Sequence, residues 1–111
     1  MTITEKRLGQ GQIANGSRTT LYTVPSSTTG IIKSINIANT TASPVTISIW
    51  HVPNGGSYGD SNAILKTLTI PANDFTHINT YMPMNTAGDT LQAEAGTATA
   101  ITISVYGAEI T

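Results

Sequence analysis

Apolar and polar residues alternate along most of this chain, and no stretch sustains the 3.6-residue spacing of a helix. In segment 44–52, Val45, Ile47 and Ile49 fall on one side of an extended backbone, with Thr46 and Ser48 on the other. Segment 100–110 repeats this with Ile101, Ile103 and Val105 against Thr102 and Ser104. In both segments the parity then reverses: Trp50 and Val52 follow Ile49, while Tyr106, Ala108 and Ile110 follow Val105. Two causes stay open. A bulge or bend shifts the alternation by a residue, or the strand end leaves its sheet and buries its opposite face against a neighbouring chain.

Proline marks strand exits at Val24-Pro25, Val52-Pro53, Ile70-Pro71 and Met82-Pro83, because it lacks the amide hydrogen that a central ladder requires. Turn residues cluster at Asn15-Gly16, Pro25 to Gly30, Ala42-Ser43-Pro44, Pro53 to Asp60, Pro71 to Asp74, Pro83 to Asp89 and Ala95-Gly96-Thr97. Strands are predicted near 4–14, 19–24, 31–39, 45–52, 64–70, 75–82, 90–95 and 100–110. Eight short strands with frequent turns predict an all-β, two-sheet sandwich of jelly-roll type, although strand count alone leaves the topology open. No block of constant period points to a solenoid. The 111 residues suit one core: residues 13–111 form a single sandwich domain, and 1–12 an N-terminal arm or edge strand.

Composition sharpens this picture at one point. Charged residues make up 10% of the chain, against about 25% in ordinary soluble domains. Thr, Ser and Asn take the vacated positions. A disordered polar chain would share that property but would lack the alternation, which leaves a folded domain whose outer faces touch more protein, since interface cores are depleted in charge. The five basic residues, Lys6, Arg7, Arg18, Lys33 and Lys66, are scattered and the net charge is −1, so no basic stripe invites nucleic acid. Apolar runs fall far short of the roughly 20 residues that span a bilayer, and no secretory core follows Met1. A soluble chain is expected, with no membrane partner. With no cysteine, disulfides, thiolate zinc sites and cysteine nucleophiles are excluded.

Candidate chemistry is sparse. A hydrolase would set His51 or His77 beside Ser57 or Ser61 with Asp60 as orienting acid, but no nucleophile-elbow motif surrounds these serines. Nothing in the spacing of His51, His77, Asp60, Asp74 and Asp89 requires a metal, and Asp60-Ser61-Asn62 lacks the Gly and Glu of an EF-hand loop. No enzyme activity, catalytic residue, metal or cofactor is therefore expected. The loop 53–62 mixes an aromatic ring with amides and an acid. With Trp50 at its entry, a sugar could stack on Trp50 or Tyr58 and bond to Asn54 or Asp60; alternatively the loop is a glycine-rich connection whose Tyr58 packs on its own domain or a neighbour. Glu5-Lys6-Arg7 concentrates charge that is scarce elsewhere, as a docking arm or as the guard of an edge strand. Together with Trp50, Tyr58 and Tyr106, these three residues are the candidate interface. Asn15-Gly16-Ser17 and Asn39-Thr40-Thr41 match the glycosylation pattern, as chance allows in a chain so rich in Asn and Thr.

From about Arg18 to Ile110 the chain resembles the small β-sandwich structural proteins of tailed bacteriophages and prophages. The segments that carry the resemblance are Thr20-Leu21-Tyr22-Thr23-Val24-Pro25, Ile31 to Thr40, Val52-Pro53-Asn54-Gly55-Gly56, Ile70-Pro71-Ala72-Asn73, Ala87 to Ala93, and Ile101 to Gly107. These encode strands and turns and hold no chemical signature. The resemblance implies a virion protein on the outer surface of the particle, assembled in the host cytoplasm. Its first implied role is a capsid decoration or cement protein that forms homotrimers and binds the major capsid protein or other virion proteins. The alternative is a tail or fibre module that recognises a host surface glycan or receptor through the 53–62 loop.

Overall fold

The alternating segments pair as eight antiparallel strands in a computed structural model that describes residues 1–13 and 18–111. They are β1 (Ile3–Gln12), β2 (Thr19–Thr23), β3 (Thr29–Asn39), β4 (Val45–Val52), β5 (Ala63–Ile70), β6 (Phe75–Met84), β7 (Thr90–Ala95) and β8 (Ile101–Ile110), with a 3₁₀ turn at Asp60–Asn62. The expected Asn15-Gly16 turn and the Asn15-Gly16-Ser17 motif lie outside the described residues.

The first sheet has the order β1-β8-β3-β6 and the second β2-β7-β4-β5. Thus β1 pairs with β8, β2 with β7, β3 with β6 and β4 with β5. The chain is a long hairpin, closed between β4 and β5, and rolled so that successive pairs fall in alternate sheets. This is the jelly-roll sandwich. Ile35, Ile37, Ile103 and Val105 of the first sheet meet Ile47, Ile49, Leu91 and Ala93 of the second in a fully buried interior. Ile13 seals one end of it, with its N–H on the Ile101 carbonyl.

The first twelve residues are bound into the sandwich. Strand β1 runs along β8 from Ile3↔Ile110 to Gln12↔Thr102, and the backbones of Thr2 and Thr111 exchange two hydrogen bonds. One boundary is corrected. The exit expected at Met82-Pro83 is not an exit, since β6 continues to Met84 with Pro83 opposite Ile31. As a sheet edge, β6 tolerates the missing amide hydrogen.

Neither parity reversal is a bulge in its own strand: β8 and β4 keep their alternation, and the apolar residues after Val105 and Ile49 lie on the outward side. Strand β8 stays regular while its neighbours bulge: Leu8 of β1 drops out of register beside Val105 and Tyr106, and Lys33 of β3 beside Tyr106 and Gly107. Gly107 allows the squeeze, because a Cβ there would lie 1.9 Å from the Ile31 carbonyl oxygen. Strand β4 is likewise unbroken against β7, from Ile47↔Ala95 to Val52↔Thr90, and the register shifts lie on its β5 side. Thr67 there takes a φ of 55° and donates its N–H to Ser48 Oγ. Trp50 and Val52 point to the outer side and are nevertheless buried.

Candidate functional site

Trp50 is 5% exposed because the loop after β4 folds back over the outer face of the second sheet. Tyr58 meets it edge-on, with ring centroids 4.9 Å apart, and the Arg18 guanidinium lies 3.8 Å from the centroid of the Tyr58 ring. Aromatic edge contact and cation–π attraction make this a self-supplied roof. The rest of the loop is also engaged. Asp60 pairs with Lys66 at 2.5 Å, Asn62 Nδ2 donates to the Ser57 carbonyl, and the Asn54 N–H donates to Asp89 Oδ1 at 2.8 Å. The Asn54 side chain rests against Gly88, whose φ of 92° turns the chain there. Of the residues read as a sugar platform, Trp50 and Tyr58 come together with Trp50 covered, while the Asp60 carboxylate is paired with Lys66 and Asn54 is held by its backbone N–H on Asp89.

The outer face of the first sheet differs. Ladder registers place its outward side chains in rows: Gln10, Ser104, Asn36 and His77, then Arg7, Tyr106, Ser34 and Asn79, then Glu5, Ala108, Ile31 and Pro83. Tyr106 is 41% exposed, Phe75 63% and Tyr81 70%. Lateral hydrogen bonds knit the polar members together. Arg7 donates to Gln10 Oε1, Gln10 Nε2 donates to Ser104 Oγ, and Ser34 Oγ and Asn79 Oδ1 both lie within bonding distance of His77 Nε2. Glu5 and Lys33 close an ion pair of 2.7 Å that spans β8, and Lys33 holds the Glu5 carboxyl below the ordinary carboxylate range.

The charged triplet near the N-terminus therefore splits by strand alternation. Glu5 and Arg7 face outward, whereas Lys6 donates to Glu109 Oε1 at 2.9 Å. Glu109 Oε2 accepts from the Tyr22 hydroxyl at 2.6 Å, joining β8 of the first sheet to β2 of the second. Glycine at position 30 makes room, since a Cβ there would sit 2.7 Å from that hydroxyl. The Tyr22 hydroxyl, then Lys6, hold the Glu109 carboxyl below its usual range, against the opposing effect of burial. Burial, then the bond to Glu109, pushes the Tyr22 phenol upward.

The residues weighed for catalysis and metal binding are dispersed. His77 Nε2 faces both Ser34 and Asn79, so one nitrogen would have to serve nucleophile and orienting group together, which a triad divides between two. Asp60 is paired with Lys66, Asp89 accepts from the Asn54 N–H, and Asp74 caps the Phe75 N–H on the turn before β6. Among the described residues no three His, Asp or Glu side chains gather as a metal set, and no pocket opens. Asn39 of the second glycosylation match is buried; its Nδ2 donates to the carbonyls of Ser43, Ile70 and Pro71, and its Oδ1 accepts from Thr41. It clamps two loops at one end of the sandwich.

No family model and no curated protein matches the chain. Solved structures do. The capsid structure of Helicobacter pylori bacteriophage KHP30 aligns with 100% of this chain and 94% of its own, at a TM-score of 0.54 and 11% identity. The pili that form Bacillus endospore appendages align with 99% of this chain and 88% of their own, at 0.52 and 18%. In infectious bursal disease virus, Gx strain, 97% of this chain matches 32% of the viral chain, at 0.51 and 11%. These likenesses show a shared fold. No helix among the described residues is long and apolar enough to cross a membrane.

Phe75 and Tyr81 are the exposed rings missing from the sequence-derived interface. Their signal was present: Ile78 and Met82 pack on the core, which sets the odd-numbered positions of β6 outward.

Proposed function

We propose that this chain is a non-enzymatic structural protein of a bacteriophage particle, a capsid decoration protein that binds the major capsid protein and stabilises the head. The observation that carries this reading is the outer face of the first sheet, broad and bearing the exposed rings of Phe75, Tyr81 and Tyr106, which no loop among the described residues covers. Such a face suits the interior of a protein interface, where rings are enriched and charge is depleted. The resemblance to small phage virion proteins and the fold shared with a phage capsid protein along its whole length support it. A pilus subunit of the spore-appendage kind is disfavoured by composition, since those pili are disulfide-linked and this chain has no cysteine.

A tail or fibre module that binds a glycan is the second reading, and Tyr58 is the observation in its favour, because the residue is 45% exposed on a surface loop. Quantitative mass spectrometry of purified heads, tails and whole particles separates the two. The decoration reading expects a copy number in fixed proportion to the major capsid protein on heads, and heads lacking the chain that open at lower temperature. Absence from heads overturns it. Loss of host attachment by a Tyr58→Ala particle with intact heads would favour the second reading.

A further inference from the structure

We infer that the outer face of the first sheet is covered in solution by the same face of a second copy of this chain, related by a two-fold axis parallel to the strands. The inference rests on the reading of the chain as an assembly protein and assigns this face to a second copy, so that the pair would meet the major capsid protein through its remaining surfaces.

Charge placement gives the orientation. On the second sheet the chain supplies both ring and cation, Tyr58 and Arg18. On the first sheet, Arg7 lies on β1 and Tyr81 on β6, at opposite edges of the order β1-β8-β3-β6. Three strand spacings separate them, about 14 Å, beyond the roughly 6 Å over which a guanidinium engages a ring. No carboxylate pairs with Arg7 among the described residues. A two-fold axis along the strands lays β1 on β6 of the second copy and keeps the rows level. Arg7 then faces the Asn79 row, one outward position from Tyr81, and the contact forms twice. The Glu5–Lys33 pair neutralises itself across β8, so like charges are not stacked.

Area and polarity agree. Four strands of about ten residues present a face near 19 Å by 33 Å, roughly 600 Å² before side-chain relief, close to the ~800 Å² that each partner contributes to a standard stable interface. A linear glycan would use a narrow strip of it. The polar residues on the face are already bonded to one another, so covering them strands few donors.

Sedimentation equilibrium of the purified chain tests this. The expected mass is twice 11.6 kDa. Tyr81→Ala and Arg7→Ala should each weaken association about tenfold or more, and Asn36→Arg, which puts a charge in the middle of the face, should leave monomers. Tyr58→Ala, on the other face, should leave the mass unchanged. Trp50 emission reports that each variant is folded. A monomer at every concentration overturns the inference, as does the three-copy mass implied by the resemblance, or a dimer indifferent to Tyr81, Arg7 and Asn36. A monomeric chain still found on heads at fixed copy number sinks the pair and leaves the decoration reading standing. A chain that pairs but is absent from particles does the reverse.

Discussion

On the outer face of the second sheet a tryptophan is roofed by the chain's own loop, while on the outer face of the first sheet three aromatic rings stand open to solvent. Strand alternation points both sets outward, so the difference lies in reach. Trp50 sits near the end of β4, and the ten residues that follow before β5 are long enough to double back and set Tyr58 on it. Tyr106 lies inside β8, and Phe75 and Tyr81 lie on an edge strand; no loop among the described residues covers them. An outward ring is thus a surface feature in one case and part of the packed structure in the other, and the flanking connection decides which.

Substitution should separate the two faces by energy, and the largest effect is expected at the roofed ring. Trp50→Ala removes a buried aromatic side chain and leaves Tyr58 and Arg18 with nothing beneath them; the expected loss is about 3 kcal/mol, read as a lower denaturant midpoint. Tyr58→Ala should cost about 1 kcal/mol and shift the emission of Trp50, the chain's sole tryptophan, to the red. Unchanged emission would mean that the loop does not cover the ring in solution.

The strands were readable because isoleucine and valine occupy alternate positions in β3, β4 and β8, and leucine and alanine in β7, and a period of two is a local property. The parity reversal at Trp50 was readable as well. Its cause was not, since the roof is built by a glycine-rich loop with no periodicity to trace. Pro83 misled for a related reason: whether a proline ends a strand depends on whether that strand is an edge, which is a property of the whole topology. The Tyr22–Glu109–Lys6 connection was invisible, because Tyr22 and Glu109 lie 87 residues apart and Lys6 and Glu109 lie 103 apart. For the open face the alternation in β6 carries the signal as clearly as β8 does for Tyr106: Ile78 and Met82 on the core side set Phe75 and Tyr81 outward.

That long-range connection makes a prediction in which the two faces should respond together, because it ties one sheet to the other beneath both. The Glu109 carboxyl is depressed in the folded chain, so its contribution is complete above the unfolded glutamate value near 4.3 and is lost as pH falls through the folded value. The Tyr22 phenol is raised, so its contribution is complete below about 10 and is lost as pH climbs toward the folded value. Glu109→Gln should flatten the acid limb of stability against pH, and Tyr22→Phe the alkaline limb. At neutral pH each should cost on the order of 2 kcal/mol, measured by chemical denaturation across the pH range. Trp50 emission and the overall fold should be lost in one transition; an acid step that exposes Trp50 first would show that the roof fails independently of the clamp.

The smallest effect sharpens the comparison most. Tyr81 is 70% exposed and takes no part in the core cluster or in any side-chain hydrogen bond among the described residues, so Tyr81→Ala should change the stability of the isolated chain by no more than about 0.5 kcal/mol. Measured at a protein concentration low enough to keep the chain monomeric, that near-zero value would stand against the loss of about 3 kcal/mol expected at Trp50. At higher concentration the two values should converge, because a ring covered by a second copy contributes to stability through mass action. A Tyr81→Ala penalty that is already large in the monomer would mean that the first face is closed from within, as the second is, and the contrast between the faces would disappear.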